Sequence, residues 1–163
     1  MKVLRTCVLS LFLLLGSAGV LFSTAPTADA AANCTGSLTG SFAVHSTRGD
    51  KIGELDVYYS SANGGTNSAC MRHSNRLWGV KSATGVQIAK CRSFTGGCSG
   101  VSFTDAGSQT GSYSYYAGPV KVTGTASRCV TVRGYVTEPG KSSRGIQVDN
   151  VGCRANPTVT ERW

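Results

Sequence analysis

The chain is short of histidine, of acidic residues and, beyond Phe22, of leucine. His45 and His73 are the only histidines in 163 residues, and Asp and Glu together number 8. A Ser–His–acid triad would have to use one of those two imidazoles, and no Gly-x-Ser-x-Gly elbow is present to carry its nucleophile. Gly97-Cys98-Ser99-Gly100 has the outline of a protease serine motif, but its second residue is cysteine, and it reads as a turn closing a cysteine loop. No two cysteines have the C-x₂₋₄-C spacing of a zinc site, and no other cofactor motif is present. After Phe22 only Leu38, Leu55 and Leu77 remain, and no segment repeats its apolar residues at the helical period. No later run approaches the roughly 20 apolar residues of a membrane span. The basic residues form no dense run, so the clustered footprint of a nucleic-acid binder is missing and no nucleic-acid partner is expected.

What is present begins with an export signal. Lys2 and Arg5 precede an apolar segment, Val8 to Phe22, and a tail of small residues ends in Ala28-Asp29-Ala30 and Ala30-Ala31-Ala32. Basic start, short apolar core and A-x-A site are the pattern of a cleaved secretory signal helix rather than an anchor. The expected division is residues 1–30 as signal and 31–163 as one domain. Cleavage removes Lys2, Arg5 and Asp29, so the net charge falls only from +8 to +7. Such a field attracts anionic polymers weakly, although a scattered positive surface also serves solubility alone.

Seven cysteines are present, and Cys7 lies within the signal. The other six suit an oxidising compartment, where disulfides persist. Cys91 and Cys98 enclose a short loop with Gly96-Gly97 before the second sulfur, and are expected to pair. That bridge would stabilise by about 2.5 kcal/mol on loop entropy. The pairing of Cys34, Cys70, Cys129 and Cys153 is left open among three arrangements.

Valine occurs thirteen times after the signal, with abundant Ser, Thr and Gly. Branched side chains suit a pleated surface, so an all-β domain is expected. Alternation marks strands at Leu38–His45, Ile52–Tyr59, Ala69–His73, Val86–Arg92, Val101–Thr104, Ser112–Tyr116, Val120–Gly124, Arg128–Thr137 and Gly145–Val151. Arg76–Thr84 is ambiguous, and Asn156–Val159 is either an edge strand or a frayed end. Leu38, Gly40, Phe42 and Val44 share one face of the first strand. In the second, Glu54 and Asp56 share a wet face opposite Leu55 and Val57. Asn63-Gly64 marks a hairpin turn and Glu138-Pro139-Gly140-Lys141 a type II turn. Ala117-Gly118-Pro119 is read as the break between two strands. Short antiparallel strands at this spacing imply a sandwich, or a closed barrel.

Chemistry is harder to find than architecture. Glu54, Arg72 and His73 would supply the base, phosphate clamp and acid of a small nuclease if the hairpin brought them together; His73 alone reads as a strand-end residue. Glu54 and Asp56 have the separation of a glycosidase pair, but any two residues at i, i+2 on a strand do. The Cys91–Cys98 loop has the rigidity of a protease inhibitor's presented segment. Tyrosines cluster on strands, and Tyr113, Tyr115 and Trp78 are the candidate binding residues, since exposed rings stack on sugars or anchor a protein partner. Rings on strands also fill cores.

Two stretches carry a resemblance. Tyr59-Ser60-Ser61-Ala62-Asn63-Gly64-Gly65-Thr66-Asn67-Ser68-Ala69-Cys70 is one. Tyr116-Ala117-Gly118-Pro119-Val120-Lys121-Val122-Thr123-Gly124, followed by Cys129-Val130 and Gly134, is the other. Together they resemble the small secreted proteins of filamentous actinobacteria typified by spore-associated protein A. The resemblance implies an extracellular or spore-surface protein with no established enzymatic role, and it brings no catalytic residues. It also implies that Cys34, Cys70, Cys129 and Cys153 form a shared framework to which Cys91 and Cys98 are added. The expectation is a secreted, non-catalytic protein of the cell or spore surface. Its partner would be an anionic wall or spore polymer or an extracellular protein, and nothing in the sequence fixes an oligomeric state.

Overall fold

Alternation in the sequence becomes pleat in the structure. The computed structural model describes residues 34–95, 97–98, 100–103 and 107–162. The expected signal segment with Cys7, and Ser99, lie outside them. The strands are β1 (Ser37–His45), β2 (Lys51–Ser60), β3 (Thr66–His73), β4 (Ser82–Lys90), β5 (Gly107–Tyr113), β6 (Tyr116–Thr123), β7 (Val130–Thr137), β8 (Ser143–Val151) and β9 (Thr158–Arg162). They form two antiparallel sheets, one ordered β1-β2-β3-β6 and one β5-β4-β7-β8-β9. The two sheets pack face to face as a sandwich rather than closing into a barrel.

The core is branched aliphatic. Val130, Val132 and Val136 of β7, Val86 and Ile88 of β4, and Val148 of β8 meet Leu55, Val57, Ala69 and Met71 from the other sheet, all essentially without exposure. Each such side chain contributes about 1.5–3 kcal/mol by leaving water. The sheets interlock at Gly134. A Cβ there would lie 2.9 Å from Met71 Sδ and 3.0 Å from Leu55 Cδ1, so the missing side chain is the socket for two residues of the facing sheet.

Turns follow local chemistry. Ser46 Oγ accepts hydrogen bonds from the amides of Arg48 and Asp50, closing the β1–β2 turn. Asn63, Gly64 and Gly65 all take positive φ in the β2–β3 connection. Gly65 cannot be replaced freely, because a Cβ would come within 2.4 Å of the Ala126 nitrogen. The Glu138 carbonyl accepts from the Lys141 amide across the expected Pro-Gly turn. Disulfides join Cys34 to Cys70, Cys91 to Cys98 and Cys129 to Cys153. The first and third close the longer loops and contribute about 3.5–4 kcal/mol each on the loop-entropy scale.

Several expectations are corrected. Ala117-Gly118-Pro119 does not break a strand: β6 runs through it, and the reversal falls at Ser114-Tyr115. Pro119 is accommodated because β6 is the edge of its sheet and its ladder shifts register opposite Cys70. Strand β5 therefore begins at Gly107 rather than Ser112. Val101 to Phe103 belong to no strand, and the ambiguous Arg76–Thr84 divides into a 3₁₀ turn, Asn75–Leu77, and the start of β4 at Ser82. Leu38 is 56% exposed, because the β1–β2 register slips between Leu38 and Gly40 and takes it out of step with Val44. The face holding Glu54 and Asp56 is not simply wet: Asp56 is buried beneath Arg72.

The Gly134 socket yields a direct test. Gly134→Ala forces a methyl against Met71 and Leu55 and should destabilise by about 1–3 kcal/mol, measured by urea denaturation. Combining it with Met71→Ala should recover part of that loss, giving a non-additive double-mutant cycle.

Candidate ligand-binding face

On the outer surface of the four-stranded sheet, the charges around Arg72 pair with one another. Arg72 on β3 donates from Nε to Asp56 at 2.5 Å and from Nη2 to Glu54 at 2.8 Å. Ser41 donates to the remaining Asp56 oxygen at 2.7 Å. Lys51 reaches Glu54 at 2.7 Å, and this bond chiefly holds the Glu54 carboxyl below the usual range, against the opposing effect of its partial burial.

His73 follows Arg72 in the chain, so it points to the other side of the sheet. It is buried, with Nδ1 donating to the Leu77 carbonyl at 3.1 Å and Nε2 2.7 Å from Thr84 Oγ1. The sheet therefore separates the imidazole from the Glu54 carboxylate and the Arg72 guanidinium. The three residues of the nuclease expectation do not converge, and the Arg72 fork is already filled by two carboxylates. Among the described residues no three His, Cys, Asp or Glu side chains gather as a metal site, and no helix is long and apolar enough to cross a membrane.

The binding candidates Trp78, Tyr115 and Tyr113 separate. Trp78 and Tyr115 meet edge to face with centroids 5.0 Å apart, and Trp78 is 56% exposed. Buried Leu77 and the ion pairs of Arg76 with Asp50 and Glu138 fix that corner. The Ser114 carbonyl accepts from the Gly79 amide, and the Tyr115 carbonyl from the His73 amide. Tyr113 is half-buried and packs against the core. The Cys91–Cys98 loop folds back on the domain. Arg128 donates to the Cys91 and Arg92 carbonyls, and the Cys129 amide donates to the Ser93 carbonyl. The ends of the loop are thereby tied to the start of β7, while Arg92, Ser93, Thr95 and Gly97 are exposed.

A ligand-sized hollow lies on the outer face of the five-stranded sheet. It measures about 570 Å³, is open to solvent, and is lined by Gly85 and Gln87 of β4, Thr110 of β5, Arg133 and Tyr135 of β7, and Ser143 of β8. Tyr135 leans over Gly85 from the neighbouring register position; a Cβ there would be 2.3 Å from Tyr135 Cε1. The glycine lets the ring lie down on the sheet. Beside it, the Arg133 guanidinium sits 3.7 Å from the Phe103 ring centroid, a cation–π geometry.

Alternation along Arg128–Thr137 puts Arg133 and Tyr135 on one row and Val132, Gly134 and Val136 on the other, without marking a site. The readable signal was a glycine on one strand with an outward tyrosine near it on another. Phe103 carried no such signal, because its loop packs across the sheet from a distance of thirty residues in the chain.

Comparison with known proteins finds no matching family model, no matching curated protein and no matching solved structure. The fold and face define a class: a disulfide-stapled β-sandwich with an open hollow on the outer face of one sheet.

Burial holds the His73 imidazole below its ordinary value of 6.5, outweighing the bond to the Leu77 carbonyl that favours its charged form. The unfolded chain therefore takes up a proton before the folded one does. Stability should be full above pH 6.5 and fall as pH drops below it, by at most about 1.4 kcal/mol per pH unit from this group. Urea titrations between pH 7.5 and 5 should show this slope, and His73→Gln should reduce it.

Proposed function

We propose that this is an exported, non-catalytic protein of the cell or spore surface that binds an extracellular polysaccharide through the hollow of its five-stranded sheet. The observation that carries this reading is the combination on one open face of a flat-lying tyrosine, Arg133 and hydroxyl and amide side chains. A volume of this size is in the range of small-ligand sites, and an open trough admits a chain that continues past it. The three disulfides fit an oxidising exterior, and the excess of Lys and Arg over acids favours a polyanionic wall or coat.

A second reading rests on Trp78 and Tyr115. An exposed tryptophan set edge to face against a tyrosine and held by a rigid corner has the make-up of a protein-contact anchor.

Sedimentation of the purified protein with insoluble wall and spore-coat polysaccharides separates the two. Thr110→Trp places a bulky ring in the hollow from an exposed edge-strand position. It should cut polymer binding at least about tenfold, a loss of about 1.4 kcal/mol, while Trp78→Ala leaves binding unchanged. Loss on Trp78→Ala alone would move the function to the other corner. No sedimentation with any polysaccharide would end the polymer reading.

A further inference from the structure

We propose that the hollow reads a charge: it is a subsite for a sugar residue bearing a carboxylate, with Arg133 as the group that recognises it. This rests on the polysaccharide reading above and narrows it to acidic, uronate-type chains.

Among the described residues, Arg133 combines partial burial with the lack of a paired carboxylate, whereas Arg48, Arg92, Arg128, Arg154 and Arg162, which also have no ion pair, are exposed to water. Arg72, Arg76 and Arg144 each pair with a carboxylate. Among the described residues no carboxylate lies within ion-pair distance of Arg133, and its buried Nε–H has no hydrogen-bond partner. Asp149, whose charge acts on Arg133 without an ion pair, accepts from Thr131 Oγ1 at 2.5 Å and from Gln147 Nε2 at 3.0 Å. A half-buried guanidinium lacking a counter-ion is an electrostatic cost that an incoming anion would relieve. Burial, with the field of Arg162 adding to it and Asp149 opposing, acts against the charged form of Arg133.

Geometry limits how the anion arrives. Phe103 covers one face of the guanidinium, which leaves its edge as the route for hydrogen bonding. Edge-on approach matches the two-pronged bond between arginine and a carboxylate. Gln87 and Gln147 stand opposite Arg133 on the two neighbouring strands, so the cation lies within a row of amides. Two residues along β7, Tyr135 lies over Gly85 and supplies a ring against which a pyranose can rest. Thr110 and Ser143 add hydroxyls at the rim. The hollow lining contains a single cation and no helix terminus, which suits one negative charge per sugar better than a doubly charged phosphomonoester.

Calorimetric titration tests this with four soluble probes: an oligogalacturonate, its methyl ester, an oligo(glycerol phosphate) and a neutral glucan oligomer. The oligogalacturonate should bind about 10- to 100-fold more tightly than its ester, the range of one charge-assisted hydrogen-bonded contact. Arg133→Met should remove that preference, weakening the acid far more than the ester so that the two affinities converge. Arg48→Gln, which removes the same charge from a turn of the other sheet, should preserve the preference. Thermal melts of each variant, with Thr110→Trp as a variant that leaves Arg133 in place and blocks both ligands, separate recognition from folding. Equal affinity for acid and ester, both lost in Thr110→Trp, would overturn the charge-reading inference while sparing the polysaccharide reading. Preference for the glycerol phosphate would overturn the carboxylate assignment. Failure of all four probes would count against both.

Discussion

Strand β7 is the element on which the rest of this protein depends. It is the central strand of the five-stranded sheet, and its pleat sends Val130, Val132 and Val136 into the sandwich while Arg133 and Tyr135 point to the opposite side. A slip of one residue would exchange the two sets, placing an arginine among valines. The core therefore fixes the outer face. Gly134 tightens the constraint, because Met71 and Leu55 from the other sheet occupy the space above it. The residues flanking that socket in the chain, Arg133 and Tyr135, are those that line the hollow.

The two outer faces have taken different courses. On the four-stranded sheet, Arg72 finds Asp56 and Glu54, and every strong charge near it has a partner. On the five-stranded sheet, Arg133 is covered by an aromatic ring, and among the described residues no carboxylate pairs with it. Self-paired charges make a quiet surface; the proposed ligand face is the one where a cation has a ring on one side and a hollow on the other. The disulfides reinforce the division. Cys91–Cys98 and Cys129–Cys153 sit together in a buried cluster where β4 ends and β7 begins, so the start of the central strand is fixed on both sides.

Much of the architecture was legible because it is local. The Val-rich alternation of β7 and the Asn63-Gly64 turn are set by neighbours in the chain. The failures were positions where a distant strand decides. Pro119 was expected at a strand start or a sheet edge, and it lies at an edge; the break expected at Ala117-Gly118-Pro119 failed because the pairing with β3 carries the strand through it. Leu38 was grouped on one face with Phe42 and Val44 because its register slip is visible only against β2. The site was less legible still. Trp78 and Tyr115 were both singled out, yet only the folded chain brings them into contact, and Tyr113 proved to be packing. The Glu54, Arg72 and His73 set failed on parity alone, since consecutive residues of a strand face opposite ways. Arg133 could be assigned a direction but not an environment, which depends on Phe103 from a loop outside every strand.

The central claim is that the outer face organised by β7 is where this protein meets its ligand. Amide and side-chain NMR shifts recorded while a soluble oligogalacturonate is titrated into the labelled protein test it most directly. The account predicts perturbations concentrated at Gln87, Thr110, Arg133, Tyr135 and Ser143, with Glu54, Asp56 and Arg72 on the opposite sheet unmoved. Shifts confined to the Trp78–Tyr115 corner, or spread evenly over the basic surface, would contradict it.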